Sequence, residues 1–330
     1  MAIDSTGHAH AVAETRKRIV YWTNASGAWQ QEPIGTAADG DLTDKLPEIA
    51  ITDSGDIVVA YERSACYGLG CDGATINVTI KTSAGWSQPT EIAPGVAPAL
   101  AVSGGAIGIA YVAIPGYTDY FCEDPAPIDY AVTSGDTWVV TRVASDGFRP
   151  VLAYGPGASP VVVFPDECGT HGDAGLYVGE LRAADNSFRL EPIPGTSPAE
   201  STARNLAVDS AGRLHLLYFR YDNNYDEQIV YAVRRNNGWT QPVEPMPGRS
   251  AYWMTVSDDG KAHFLGDSFD SGLWHAVGSP TEIRADPIAT APQVDYRGQA
   301  MALDSAGRPH VLFTTGDGGS TLWYGVQNAP

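Results

Sequence analysis

The feature of this sequence that most constrains its fold is an internal repeat. The segment at 206–219, LAVDSAGRLHLLYF, is nearly duplicated at 301–314 as MALDSAGRPHVLFT, and five weaker copies occur elsewhere in the chain. A small residue marks each copy, and successive markers are 48, 51, 52, 54, 48 and 47 residues apart. The markers are Ala2, Ala50, Ala101, Ala153, Ala207, Thr255 and Ala302. Seven units of such regular length predict a repeat architecture.

Each copy has the pattern of a small antiparallel sheet. A short strand leads through a turn of the D-S-x-G type into a second strand, and a variable loop, a third strand and a Gly-Trp turn follow. The pattern predicts an all-β fold, a seven-bladed β-propeller of four-stranded antiparallel blades. Because the last unit ends soon after its third strand, the last blade is expected to have three strands. The predicted blades of this single domain are 1–46, 47–96, 97–147, 148–198, 199–248, 249–292 and 293–330.

Composition narrows the possible partners. The 20 Lys and Arg against 39 Asp and Glu give 20 − 39 = −19, and this acidic balance disfavours binding to nucleic acid. The sequence contains no uninterrupted apolar stretch long enough to span a membrane, so no membrane span is expected. The first ten residues, MAIDSTGHAH, lack the features of a signal peptide, and we expect the chain to start near a mature N-terminus.

The repeat units resemble those of the bacterial sialidase-like propellers, whose repeats are called BNR or Asp-box repeats, over essentially the whole chain. The resemblance is one of fold. The family's S-x-D-x-G-x-x-W box is absent, its nearest counterpart being 134–138, and its arginine motif has only a counterpart at 148–150. The units are also similar to those of seven-bladed bacterial lectins and propeller-type polysaccharide lyases. The resemblance implies a propeller and carbohydrate-related functions, and it does not choose between binding and cleavage.

Long loops indicate where a site would be built. The connections between strands two and three, and between one blade and the next, emerge on the same face, and they are longest in blades 2 to 5. Carboxylates there could bind sugar hydroxyls or calcium, while aromatic faces could stack on sugars. The alternative is an acidic surface that only faces water. The predicted ligand-binding residues are Glu62, Arg63, Tyr117, Tyr120, Asp124, Arg149, Arg204, Tyr221, Asp222 and Tyr225.

All four cysteines fall in these loops. Proximity favours a disulfide between Cys66 and Cys71, and the adjacency of blades 3 and 4 favours one between Cys122 and Cys168. Two bridges would imply an oxidising compartment, so the predicted location is secreted or periplasmic. The alternative is a zinc site that includes His171, but the sequence has no C-x-x-C pair and its spacing matches no zinc motif.

One histidine stands apart from the others. Four histidines occupy a single repeat position, three residues after the turn glycine, and this repetition indicates a structural role. His171 lies off this pattern, next to Asp166 and Glu167, and is the best candidate for a general base. Arg220 completes the predicted catalytic set as an anion-binding residue. The alternative for the arginines is ion pairing with the abundant carboxylates.

Three classes of function remain open. The first is a carbohydrate- or glycoconjugate-binding propeller with one asymmetric site over blades 2 to 5. The second is a glycan-cleaving enzyme, either a hydrolase with two carboxylates or a lyase with His171 and a tyrosine as base and acid. The third is a scaffold for protein partners. The chain is expected to be a monomer that takes a glycan or small-molecule ligand and needs no cofactor, with calcium left open as a bound ion.

Overall fold

The computed structural model describes most of the chain. The described residues are 1–15, 18–34, 42–67, 70–114, 126–166, 168–197, 201–221, 227–236, 238–247, 250–268, 272–289, 294–315 and 321–327. Within them, the side chains of 65–67, 70–72, 268, 289 and 294–297 are not described.

The fold is the predicted seven-bladed β-propeller, with blades of antiparallel strands in sequence order and a three-stranded last blade. In the described residues the only helical element is the three-residue 3-10 turn Pro156–Ala158. The strands of the first four blades are β1 (Ala2–Ile3), β2 (Ala9–Thr15), β3 (Arg18–Thr23), β4 (Gln30–Ile34), β5 (Leu42–Ile51), β6 (Ile57–Tyr67), β7 (Gly70–Thr82), β8 (Gly85–Trp86), β9 (Thr90–Pro94), β10 (Val96–Ser103), β11 (Ala106–Val112), β12 (Ile128–Ser134), β13 (Thr137–Ala144), β14 (Val151–Gly155), β15 (Ser159–Pro165), β16 (Leu176–Arg182) and β17 (Ser187–Pro192).

The strands of the last three blades continue the same order. They are β18 (Ser201–Val208), β19 (Leu214–Tyr221), β20 (Glu227–Arg235), β21 (Gly238–Trp239), β22 (Ser250–Val256), β23 (Ala262–Ser268), β24 (Gly272–Ser279), β25 (Glu282–Ala289), β26 (Val294–Leu303), β27 (Pro309–Thr315) and β28 (Thr321–Val326). No helix in the part of the chain that the structure describes is long and apolar enough to cross a membrane.

The outer strand is interrupted in two blades. In blade 2 it is divided into β8 and β9, both of which pair with β7, and in blade 5 the short β21 is followed by an isolated bridge from Val243 to Tyr231. Both interruptions follow the same sequence pattern, W-x-Q-P, with prolines at Pro89 and Pro242. Proline has no backbone N–H to donate to the ladder, so the pairing breaks there and resumes beyond it.

The chain divides into two compact units, Met1–Gly7 with Glu200–Pro330, and His8–Ala199. In the second of these, apolar clusters lie between successive sheets, with Ile19, Tyr21 and Tyr61 between blades 1 and 2. The largest cluster there joins blades 3 and 4 around Phe164. In the other unit, a cluster around Phe264 joins blades 5 and 6. Within each unit, neighbouring sheets therefore bury their facing apolar side chains against one another, as the hydrophobic effect requires of amphipathic sheets.

The repeated histidines have the structural role that their repetition indicates. In blade 5 the buried His215 joins two repeat positions, because its Nδ1 lies 2.7 Å from the Tyr231 hydroxyl and its Nε2 lies 3.0 Å from Asp209 of the D-S-x-G turn. In blade 7, His310 makes the same contacts with Tyr324 and Asp304. These bonds tie the turn of each blade to its third strand and leave the imidazoles satisfied inside the protein.

Candidate functional site

The structure shows three groups of polar side chains where second strands end and first strands begin. We call them the Arg63 cluster (Asp44, Lys45, Tyr61, Glu62 and Arg63), the His171 cluster (Ser145, Asp146, Asp166, Thr170 and His171) and the Arg220 cluster (Tyr218, Arg220 and Gln228). The first two lie in the unit His8–Ala199, and the third lies in the other unit.

The Arg63 cluster is internally neutralised. The register of β5 with β6 places Asp44 opposite Arg63 and Lys45 opposite Glu62. Arg63 donates from Nε and Nη2 to the two oxygens of the buried Asp44 carboxylate, at 2.7 and 2.9 Å. This fork geometry satisfies both charges. The hydrogen bond to Asp44, opposed in part by burial, raises the pKa of Arg63.

Glu62, beside it, is also satisfied within the protein. It is only 3% exposed, and its carboxylate lies 3.1 Å from the Lys45 ammonium. The same carboxylate accepts a hydrogen bond from the backbone N–H of Ala97 at 3.3 Å. The charges of the predicted ligand residues Glu62 and Arg63 are therefore balanced by neighbours, and their geometry is that of a structural ion-pair network.

The His171 cluster is built on the connection between β15 and β16. Asp166 follows β15 directly, is fully buried, and accepts backbone N–H bonds from Thr170 at 2.9 Å and from His171 at 2.7 Å. The Thr170 hydroxyl donates to the buried Asp146 at 2.7 Å, which fixes the loop against the end of blade 3. Two buried carboxylates thus organise the backbone around His171.

The His171 ring lies between these carboxylates and the surface. Its Nδ1 is 3.3 Å from Asp166 Oδ2, and its Nε2 is 3.3 Å from the hydroxyl of Ser145. The rings of Phe164 and Tyr177 pack on it, with centroids 5.9 and 5.5 Å away. Burial raises the pKa of Tyr177, and the charge of Asp166 adds to the effect. The structure therefore brings together two of the predicted catalytic residues, Asp166 and His171.

Arg149 lies on the connection between β13 and β14. It is exposed, its guanidinium carbon lies 5.1 Å from the Phe148 ring centroid, and its φ is 33°, in the left-handed region. A non-glycine residue there carries about 1 kcal/mol or more of backbone strain. The backbone conformation of Arg149 and the ring of Phe148 thus position the Arg149 guanidinium at the surface.

In the Arg220 cluster the arginine has no carboxylate partner among the described residues. Arg220 occupies the repeat position of Arg63, but the residue opposite it in β18 is Ser201, where blade 2 has Asp44. Its Nε donates instead to the neutral Gln228 Oε1 at 3.1 Å. The positive charge of Arg220 is therefore not cancelled by the partner that neutralises its counterpart.

A buried hydroxyl lies beside this charge. Tyr218 is fully buried, and its hydroxyl has no hydrogen-bond partner in the described part of the chain. Burial raises the pKa of Tyr218 to about 12, opposed by the positive charge of Arg220. At the equivalent position in blade 2, the Tyr61 hydroxyl lies 3.5 Å from Arg63 Nη2. Burying a hydroxyl without a hydrogen-bond partner costs about 1–3 kcal/mol of folding stability. The Tyr218 hydroxyl therefore offers an unused hydrogen-bond donor next to the positive charge of Arg220.

Aromatic side chains lie on the other face of β19, because successive side chains of a strand point to opposite faces and Phe219 and Tyr221 alternate with Tyr218 and Arg220. The guanidinium carbon of the exposed Arg204 lies 4.2 Å from the Phe219 ring centroid. Phe219 in turn packs on Tyr252, and Tyr221 at the end of β19 is 43% exposed. Burial raises the pKa of Tyr252, so this phenol stays neutral at physiological pH. Three of the predicted site residues therefore lie in blade 5, with Arg220 on one face of β19 and Tyr221 and the Arg204–Phe219 stack on the other.

Several predicted residues lie outside the described part of the chain. They are Tyr117, Tyr120, Cys122, Asp124, Glu167, Asp222 and Tyr225. The backbones of Cys66 and Cys71 pair opposite each other in the β6–β7 hairpin, and their side chains are also outside it. Cys168 is disulfide-bonded, and which cysteine it joins lies outside the described residues, so both pairings stay predictions. No group of three or more metal-ligating side chains is found within the described ranges, and calcium binding stays a prediction.

The sequence did not point to four of these residues. Ser145 and Asp146 sit in a blade connection with no repeated motif, and Gln228 and Tyr218 look like ordinary strand residues. One signal was available for Tyr218, because Tyr-x-Arg occurs at the same repeat position of the second strand in both blade 2 and blade 5. The strand register is needed to see that the arginine of blade 2 faces an aspartate, whereas the arginine of blade 5 faces a serine.

No family model matches the chain, and no curated protein matches it in sequence. Solved structures do match it, and the three described below are 10–13% identical to it. An ulvan lyase superposes with a TM-score of 0.62 and 13% identity, over 98% of this chain and 90% of the lyase. The intramolecular trans-sialidase of Ruminococcus gnavus matches with a TM-score of 0.57 and 10% identity, over 86% of this chain and 94% of that one.

A third match is the periplasmic gluconolactonase PpgL of Pseudomonas aeruginosa, with a TM-score of 0.57 and 12% identity, over 98% of this chain and 93% of that one. The similar structures thus include glycan-acting propellers of several reaction types. At these identities the likeness shows the fold, and the function has to be argued from the site.

Proposed function

We propose that this chain binds an acidic carbohydrate, with the Arg220 cluster as the contact for the sugar's carboxylate or sulfate group. The observation that carries the proposal is the arginine at the end of β19, which faces Ser201 and Gln228 where its counterpart Arg63 faces a carboxylate. A guanidinium with a neutral partner can accept an anion without first breaking an internal ion pair.

The neighbouring groups suit a sugar ring attached to that anion. The buried Tyr218 hydroxyl has no partner among the described residues and lies on the same face of β19 as Arg220, so it can donate to a ligand oxygen. Tyr221 ends the same strand and is 43% exposed, so it offers an aromatic face to a pyranose that extends past the strand end. The net charge of −19 would repel an anion elsewhere on the surface, so the positive charge of Arg220 would also give selectivity.

The cellular setting belongs to the same proposal. We propose that the protein is secreted or periplasmic, because a disulfide at Cys168 is typical of an oxidising compartment. One of the structurally similar proteins is described as periplasmic, and others act on glycans, which is consistent with a carbohydrate ligand.

Binding is tested by calorimetry with a panel of oligosaccharides of equal length: a polyuronate, a sulfated glycan, a sialylated glycan and a neutral glucan. We expect one acidic class to bind and the neutral glucan to fail. Arg220→Gln should weaken that binding by about 10- to 100-fold, the value of a charge-assisted hydrogen bond of roughly 1.5–3 kcal/mol. Higher salt should weaken binding to the wild type more than to this variant.

The matched control is Arg284→Gln in the same unit. Arg284 is exposed on the outer strand β25 and pairs only with its neighbour Asp286 among the described residues. It should leave affinity unchanged. Equal binding of the neutral glucan, or an equal loss in both variants, would overturn the proposal. Chromatography of the same mixtures separates binding from cleavage, since a binding protein leaves the oligosaccharide intact.

A further inference from the structure

We propose that Ser145, His171 and Asp166 form a nucleophile, base and orienting carboxylate that hydrolyse carboxylic esters. This activity is separate from sugar binding by the Arg220 cluster, and neither depends on the other. The chemical class of substrate is an ester of a small carboxylic acid, such as an acyl group carried on a hydroxyl.

The three side chains follow one another from the interior of the protein to its surface. Asp166 is fully buried, His171 has 14% of its side chain exposed, and Ser145 is exposed. The two joining distances are equal, 3.3 Å from the carboxylate to Nδ1 and 3.3 Å from Nε2 to the serine hydroxyl. A serine, a histidine and a carboxylate in this order are the parts of an activated nucleophile.

The burial of Nδ1 selects the tautomer that such a base requires. This nitrogen is buried and makes no hydrogen bond within the described residues, and the Asp166 carboxylate is the acceptor that faces it. A proton on Nδ1 is stabilised by that negative charge, which leaves the Nε2 lone pair directed at Ser145. Both contacts are longer than ordinary hydrogen bonds, as catalytic contacts often are without substrate.

The loop around the histidine is held in place by several independent bonds. Asp166 accepts two backbone N–H groups, Thr170 bonds to Asp146, and Cys168 is covalently tied by its disulfide. Gly175 closes the loop, because its carbonyl accepts from Asp166 N and its own N–H donates to Thr196. A catalytic site needs its base held at a fixed distance from the nucleophile. A histidine that only faces solvent has no need of such a rigid loop.

The reaction balances with water as the only co-reactant. The Ser145 oxygen attacks the acyl carbon while its proton passes to His171 Nε2, and the tetrahedral intermediate then expels the alcohol, which takes that proton. Water next gives a proton to Nε2 and attacks the acyl-serine ester. Collapse of the second intermediate returns the proton to the serine and releases the carboxylic acid.

The test is covalent labelling of the whole chain with a fluorophosphonate, with the modified residue located by mass spectrometry, alongside hydrolysis of p-nitrophenyl acetate. We expect Ser145 to be labelled in the wild type and turnover to be lost in Ser145→Ala. His171→Gln should slow labelling by about 100-fold or more, since general-base catalysis contributes that much.

The matched control is Ser134→Ala. Ser134 is also exposed, and it ends β12 in the same unit. This change should alter neither labelling nor turnover. In Asp166→Asn, labelling of Ser145 should become slow at every pH, because the amide cannot stabilise the charged imidazole. An unlabelled Ser145 in the folded wild type, or equal labelling of Ser145 and Ser134, would overturn the proposal and leave the sugar-binding proposal intact.

Discussion

Blade 6 contains a buried histidine pair that should make the protein sensitive to acid. His263 occupies the repeated histidine position, but its third-strand partner is His275 where three other blades have tyrosine. The Nδ1 of His263 lies 3.0 Å from the Nε2 of His275, and the two residues are 8% and 5% exposed. The turn also lacks the aspartate, with Ser257 at that repeat position. The charge of Asp259 favours a charged His263, and the charge of Asp286 favours a charged His275, but burial outweighs both effects.

The pKa values show the size of the effect. Burial lowers the pKa of His263 to about 4, with a further contribution from His275, and burial lowers the pKa of His275 to about 4 as well. In the unfolded chain each would titrate at about 6.5. Between pH 6.5 and pH 4 these histidines are protonated in the unfolded chain but neutral in the folded protein. Their contribution to the free energy of unfolding is therefore fully present above about pH 6.5 and is lost as the pH falls toward 4. Linkage gives about 2.5 kcal/mol per histidine between pH 7 and pH 4.5, and therefore about 5 kcal/mol for the pair.

Urea unfolding followed by tryptophan fluorescence at pH 7 and pH 4.5 measures this loss. His275→Tyr restores the histidine–tyrosine pair of the other blades and removes one titrating ring, so its loss on acidification should be smaller by about 2.5 kcal/mol. His275→Phe is the control, because it also removes the ring but supplies no hydroxyl for His263. If wild type and both variants lose the same free energy between the two pH values, the reasoning is wrong.

Three further changes test other parts of the structure. Gly175→Ala would place a Cβ 1.9 Å from the carbonyl oxygen of Ser197, so we expect the melting temperature to fall and the Phe164–His171 packing to loosen, as seen by thermal unfolding and NMR. Asp304→Ala removes the acceptor of the Ala306 and Arg308 backbone N–H groups and should cost about 2 kcal/mol in urea unfolding. Arg63→Lys cannot reproduce the two-pronged bond to the buried Asp44 carboxylate and should cost about 1–3 kcal/mol, whereas an unchanged stability would mean that the pair contributes nothing.

The sequence alone predicted the fold because many residues of each repeat unit recur together at the same spacing. Seven copies of the same pattern require seven equivalent sheets, and the short final copy predicts the three-stranded last blade. The histidine column was interpretable for the same reason, since a residue that recurs with the turn must bond within the blade. The broken outer strands of blades 2 and 5 were not predicted, although Pro89 and Pro242 carried the signal.

The candidate site was harder to predict from the sequence because it depends on differences between the repeat units. Arg63 and Arg220 are equivalent in sequence, and only the cross-strand register shows that the first faces Asp44 and the second Ser201. His171 and Asp166 were adjacent enough in sequence to be grouped. Their contact with Ser145 joins loops of two blades, which no local pattern records.

The most direct test of sugar binding is a crystal structure of the protein with an acidic oligosaccharide from the class that binds in calorimetry. We expect the carboxylate or sulfate group to lie within hydrogen-bond distance of the Arg220 guanidinium and a ligand oxygen to accept from the Tyr218 hydroxyl. Gln228 should either move away from Arg220 or share it with the anion. An oligosaccharide bound with its anionic group away from Arg220, or held through neutral hydroxyls alone, would contradict this expectation.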